Sequence, residues 1–167
     1  MLDFIVRDAL STDMKAVLGL IKELAVFEKE PDAVIIDSDY LIKEGFSANP
    51  SFKVFVAEIE TEIVGIALFY PRFSTWKGKT LHLEDLIVKE NKRGLGIGIA
   101  LYTQFLKYAF ELKVNRVEWV VLDWNANAID FYKKSGASVL NDWRTVQMND
   151  KQIKSFVKKQ IAFNENL

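Results

Sequence analysis

The chain has 167 residues, half of them hydrophobic and 13% aromatic, enough for a sizeable core and unlike a disordered chain. A formal net charge of −1 gives no basic excess, which argues against binding driven by neutralising the phosphates of a nucleic acid. The absence of cysteine rules out a disulfide framework, a thiolate metal site and a cysteinyl acyl intermediate, and a single histidine, His82, leaves a Ser-His-Asp triad or multi-histidine metal site hard to assemble. No apolar run approaches the roughly 20 residues of a membrane span. No leading apolar run follows basic residues as in a signal peptide. The expectation is a cytoplasmic protein with no membrane, nucleic-acid or metal partner.

Phe4–Arg7 is a short β-rich run, followed by the capping residues Ser11-Thr12-Asp13. Val17, Leu18, Leu20, Ile21, Leu24, Ala25 and Phe27 then recur at helical spacing, which predicts an amphipathic helix to about Glu28, ended near Pro31. Ser38-Asp39 caps a second helix through Phe46, with Gly45 near its close. Phe52–Ile59 and Ile63–Tyr70, joined by the polar Glu60-Thr61-Glu62, read as an antiparallel hairpin. Phe69 to Gly78 is an aromatic-rich connection, and Thr80–Val88 is apolar enough for a central strand.

A helix burying Leu101, Tyr102, Phe105, Leu106, Ala109 and Phe110 follows, then a strand over Arg116–Leu122. A short helix, Ala128–Lys134, is stopped by Ser135-Gly136. Val139–Met148 reads as a last strand and Lys151–Phe163 as a terminal helix. With no linker, repeat or low-complexity segment, residues 1–167 are expected to form one α/β domain with mixed strand directions.

The stretch from Leu83 to Ile99 passes from strand through a charged turn into a glycine loop and a helix start, an arrangement that suits an anionic phosphate group. Gly94, Gly96 and Gly98 keep side chains out of the way of such a ligand. No Gly-x-x-x-x-Gly-Lys-Ser/Thr run is present, and the dinucleotide fingerprint fits poorly because Ile99 stands at its third-glycine place. On the loop alone, a ligand site and a structural turn both stand.

Arg93-x-x-Gly96-x-Gly98 resembles the pyrophosphate signature of the GNAT acetyltransferases, and "NANAIDFYKKSGA" from Asn125 resembles their later asparagine, tyrosine and Gly-Ala segment. "LIKELAVFEKE" (Leu20–Glu30), "STWKGKTLHLEDL" (Ser74–Leu86) and "VLDWN" (Val121–Asn125) are similar to the diamine and thialysine branch, relatives of spermidine/spermine acetyltransferase. The element order agrees along nearly the whole chain. The resemblance implies a GNAT-like domain whose mixed, mostly antiparallel sheet splays at the cofactor and carries helices on both faces. It implies transfer from acetyl-CoA to a primary amine of a small cationic acceptor, a polyamine or thialysine, by direct attack in a ternary complex. A homodimer is also implied. A protein or peptide amine acetyltransferase and a catalytically silent CoA-binding module are the other readings.

Transfer to an amine requires a base, because a lysine-like ammonium with pKa about 10.4 is no nucleophile. Glu84 stands as a carboxylate in an otherwise apolar strand, which calls for a partner or a function. By resemblance it is the base, directly or through a water, and Tyr132 is the acid toward the departing thiolate. Glu84 and Asp85 are adjacent, so in a regular strand they face opposite sides and need a bulge or a second chain to share a pocket. The backbone of Leu86, Ile87 and Val88 is expected to pair with the pantetheine arm. Arg93, Gly94, Leu95, Gly96, Ile97, Gly98 and Ile99 are expected at the pyrophosphate, with Asn125 and Lys134 near the rest of the cofactor. Phe27, Glu28, Trp76, Glu84 and Asp85 are the expected acceptor contacts, since cations seek carboxylates and aromatic faces. His82 reads as a strand histidine without a role.

Overall fold

A computed structural model describes residues 3–164. They pack into two compact units that divide between Leu122 and Asp123. The first holds a five-stranded sheet in the order β1 (Ile5–Asp8), β2 (Lys53–Ile59), β3 (Glu62–Ser74), β4 (Gly78–Val88) and β5 (Arg116–Glu118). All neighbours are antiparallel except β4 and β5, which run parallel. Helices α1 (Met14–Phe27), α2 (Ser38–Gly45) and α3 (Ile97–Glu111) complete this unit.

Strand alternation divides the core in two. On one face Met14, Val17 and Leu20 of α1 and Leu41 of α2 pack on Val54, Val56, Ile66, Leu68 and Ile87. On the other, Phe69 lies 5.2 Å from Phe55, 5.1 Å from Phe105 and 5.4 Å from Tyr108, ring centre to ring centre. Phe69 and Phe105 are fully buried, and burying a side chain of that size contributes about 1.5–3 kcal/mol. The helices thus cover both faces of a mixed, mostly antiparallel sheet, as expected.

Four sequence expectations change. The second helix is capped by Asp37, whose carboxylate accepts from the Tyr40 N–H at 2.8 Å, one residue before the expected cap. The aromatic connection is largely strand, because β3 runs on through Pro71 to Ser74 and pairs there with Gly78. Pro71 is tolerated since the last pair with β2 is Lys53 to Phe69, which leaves β3 an edge on that side. The strand expected over Arg116–Leu122 is only three residues long.

The fourth change lies in the second unit, which contains α4 (Ala126–Lys134) and α5 (Asp150–Asn164). No strand forms over Val139–Met148. Leu140, Trp143 and Val146 are spaced by three and not by two, so no strand could bury them on one face, and all three are exposed. The Asn125 side chain caps α4 by accepting from the Ala128 N–H at 3.2 Å, and Gly136, at φ 92°, stops the chain just beyond it. Asn149 and Gln152 exchange side-chain to backbone bonds of 2.8 and 3.0 Å at the start of α5.

Candidate active site

The β3–β4 ladder steps from Leu68↔Asp85 to Phe69↔Leu83 and leaves Glu84 as an extra residue on β4. A bulge of this kind re-aims the side chains around it. Its consequence is that Glu84 and Asp85, neighbours in sequence, both line one cavity of about 600 Å³. Opposite them are Ile21 of α1, the 33–36 segment, and Tyr40, Leu41 and Glu44 of α2. Phe52, Leu68 and Tyr70 complete the sheet side. The walls are largely apolar and aromatic, with carboxylates at two places, a lining that suits an alkyl chain carrying cationic ends.

Asp85 is the more perturbed of the two acids. Burial pushes its carboxyl up to about 7, helped by the charges of Glu84 and then Glu28. Partial desolvation raises Glu28 as well. Tyr70 is raised chiefly by burial and next by the nearby Glu84 carboxylate. A cationic guest would relieve this repulsion, and Asp85 is poised to exchange a proton near neutral pH.

Beyond the bulge, β4 is open along one edge. Its ladder with β5 covers only Thr80↔Arg116, Leu81↔Val117 and His82↔Glu118, so the strands part before Leu86 and Ile87. The expected splay is therefore present. The Val88 carbonyl is committed within the chain, since it accepts from Arg93 Nε at 3.1 Å. The Arg93 guanidinium also lies 5.6 Å from the centre of the Phe27 ring, which ties the end of α1 to the loop.

The loop then turns through Gly94 at φ 78° and Gly96 at φ 85°, a conformation that side chains disfavour. A Cβ at either position would meet nothing within 4 Å, so space is left open beside the backbone. Gly96 caps α3, and the first helical bond is Ala100 N–H to the Gly96 carbonyl at 3.1 Å. The N–H groups of Ile97, Gly98 and Ile99 precede it and are the helix's natural anion donors. These features fit a phosphate-bearing ligand.

The expected residues are only partly united. Glu84 and Asp85 share the cavity, and Glu28 acts on Asp85 through its charge. Phe27 contacts Arg93 and is not in the lining. Trp76 is 80% exposed in the β3–β4 turn, separated from Glu84 by roughly 20 Å of strand. In the second unit Tyr132 is buried and packs edge-on against Phe131 at 5.3 Å, with Asn125 capping its helix and Lys134 in the last turn. Tyr40, Glu44 and Tyr70 escaped the sequence reading. Tyr70 had only strand alternation to mark it, and Tyr40 and Glu44 only helical spacing from Leu41.

The family model described as "Acetyltransferase (GNAT) family" matches residues 18–137. A thialysine N-epsilon-acetyltransferase of Bos taurus is 37% identical over 145 residues, covering 82% of this chain and 85% of its own. A spermidine/spermine N(1)-acetyltransferase-like protein 1 of Homo sapiens is 32% identical over 160 residues, covering 90% of this chain and 23% of its own. Among solved structures, an integron cassette protein of V. cholerae superposes with a TM-score of 0.77 at 22% identity, over 93% of this chain and 98% of the other.

Proposed function

This chain belongs to the GNAT acetyltransferase family and is an N-acetyltransferase, and we propose that it acetylates a primary amine of a small cationic acceptor, a polyamine or a lysine analogue such as thialysine. Acetyl-CoA, the co-substrate that the family implies, supplies the acetyl thioester. The observation that carries the reading is the pair Glu84 and Asp85 in one cavity with apolar and tyrosine walls, Asp85 held up to about 7. The names of the bovine and human relatives support the acceptor class.

In this reading Asp85 and Glu28 draw the ammonium in, and the apolar walls hold its alkyl chain. Glu84, at the bulge, removes a proton from the acceptor nitrogen, directly or through a water. Tyr132 Oη gives a proton to the leaving sulfur, a role supported by the sequence motif around it. Leu86, Ile87 and Val88 offer backbone to the pantetheine, and Arg93 to Ile99 hold the pyrophosphate, with Asn125 and Lys134 near the rest of the cofactor. Because the chain has no cysteine to carry an acyl group, attack is direct, within a ternary complex.

We take residues 1–167 as one catalytic domain, a view supported by the family match running across the boundary between the units. A cytoplasmic homodimer, with Trp76 among the acceptor contacts, completes the reading, and sedimentation tests the dimer. Thiol release from acetyl-CoA, measured over spermidine, putrescine, lysine, thialysine and peptide amines, tests the function. Preference for a small diamine or thialysine is expected. Turnover of peptides alone, or of none, would overturn the proposal.

A further inference from the structure

His82, the chain's one histidine, is buried on β4. It lies opposite Tyr70 on β3 and Glu118 on β5. Its ring stacks on Tyr70, with centres 5.1 Å apart and planes within 25°. The Nε2 atom is 3.6 Å from Glu84 Oε2, whereas Nδ1 is buried with no hydrogen-bond partner among the described residues. Tyr70 shares this arrangement, because its side chain lines the same cavity as Glu84, whose charge raises its phenol after burial does.

A neutral imidazole carries one N–H and one bare nitrogen. With the proton on Nδ1, an N–H would be buried unpaired and the Nε2 lone pair would face a carboxylate oxygen. With the proton on Nε2, the donor faces Glu84 and the orphan is only an acceptor. A second proton would again bury an unpaired N–H. Glu118 of β5, which lies opposite His82, is ion-paired with Arg72 of β3 and Arg116 of β5. The remaining ionisable groups on this side are Tyr70, Glu84, Asp85 and, from the end of α1, Glu28.

We propose that His82 is a positioning residue for Glu84, presenting a neutral Nε2–H that aims the carboxylate into the cavity without cancelling its charge. An arginine or lysine in its place would hold the carboxylate too firmly ionised to act as a base. The 3.6 Å gap closes with a small rotation of Glu84, whose side chain is half exposed, as such contacts tighten once substrate is bound. The inference rests on Glu84 being the base.

Long-range proton–nitrogen NMR on the intact labelled protein reads the single imidazole directly, and at neutral pH the Nε2–H tautomer is expected. His82→Phe keeps a ring against Tyr70 but loses the donor. It should lower kcat/KM for the amine about tenfold, move the acid limb of its pH profile upward by about half a unit, and leave the acetyl-CoA KM unchanged. His82→Gln, which restores a side-chain N–H, should recover most of both effects. An Nδ1–H tautomer overturns the proposal, as does a His82→Gln that behaves like His82→Phe. A wild-type profile in His82→Phe beside an altered one in Glu84→Gln overturns it too. A wild-type profile in Glu84→Gln instead removes Glu84 as base and leaves the tautomer as a separate result.

Discussion

Glu84 and Asp85 follow one another on β4, yet both reach the same cavity, because the ladder pairs Asp85 with Leu68 and Leu83 with Phe69 and passes over Glu84. Placing two like charges side by side in a partly buried site costs stability that a soluble surface would not lose. The expense is felt by Asp85, which burial and then Glu84 and Glu28 push up to about 7. Sites that shift a carboxyl this far commonly exist to bind a cation or to move a proton.

The two carboxyls are predicted to separate kinetically. Glu84→Gln removes the base and should reduce kcat by about 10²-fold or more with the amine KM little changed. Asp85→Asn removes an attraction for the ammonium and should chiefly raise the amine KM. Steady-state kinetics with thialysine and spermidine at saturating acetyl-CoA decide it. A larger kcat loss in Asp85→Asn than in Glu84→Gln would transfer the base role to Asp85.

The same group sets a stability signature. Its folded-state pKa is raised from the ordinary 3.8 to about 7, so the stability it contributes is present below the ordinary value and is lost as pH rises through the raised one. Asp13 runs the other way, since its bond to Arg7 lowers it and its contribution disappears on acidification. The comparison that isolates Asp85 is therefore variant against wild type. Asp85→Asn should melt at about the wild-type temperature at low pH and clearly above it at pH beyond about 7, a difference on the order of a few kcal/mol. Parallel melting curves across that range would show that Asp85 is not raised.

Much of this was legible in the chain. The 3.6-residue recurrence of Val17, Leu20, Ile21 and Leu24 marks α1, and Gly94 and Gly96 mark a loop whose backbone turns through positive φ. The bulge was legible only as one of two ways for Glu84 and Asp85 to share a pocket, because it is a property of two registers and Glu84 alone carries no sign of what β3 skips. His82 needed the same information, since its neighbours Tyr70 and Glu118 come from two other strands. The Val139–Met148 reading trusted β-forming residue types over their spacing, and the spacing was the better guide.

The glycine loop predicts a binding effect with little effect on chemistry. A methyl group at position 96 meets no atom within 4 Å, so Gly96→Ala costs backbone strain of about 1–2 kcal/mol and places the methyl beside the loop backbone that a phosphate must approach. The melting temperature should fall by a few degrees. The acetyl-CoA KM should rise about tenfold or more while kcat at saturation is retained. An unchanged acetyl-CoA KM would move the phosphate site away from this loop.

Tyr132→Phe gives the cleanest test of the proposed acid. The ring packs edge-on against Phe131 at 5.3 Å, a contact that phenylalanine reproduces, and the substitution conserves volume. Stability should therefore change by less than about 1.5 kcal/mol. If the hydroxyl protonates the leaving sulfur, kcat falls by about 10²-fold or more while acetyl-CoA affinity, measured by calorimetry without amine, stays at the wild-type value. The loss should shrink with an acyl donor whose thiol is more acidic, because such a sulfur leaves without needing a proton. Wild-type turnover, or a loss that is the same for both donors, removes Tyr132 as the acid and leaves it as a packed aromatic of α4.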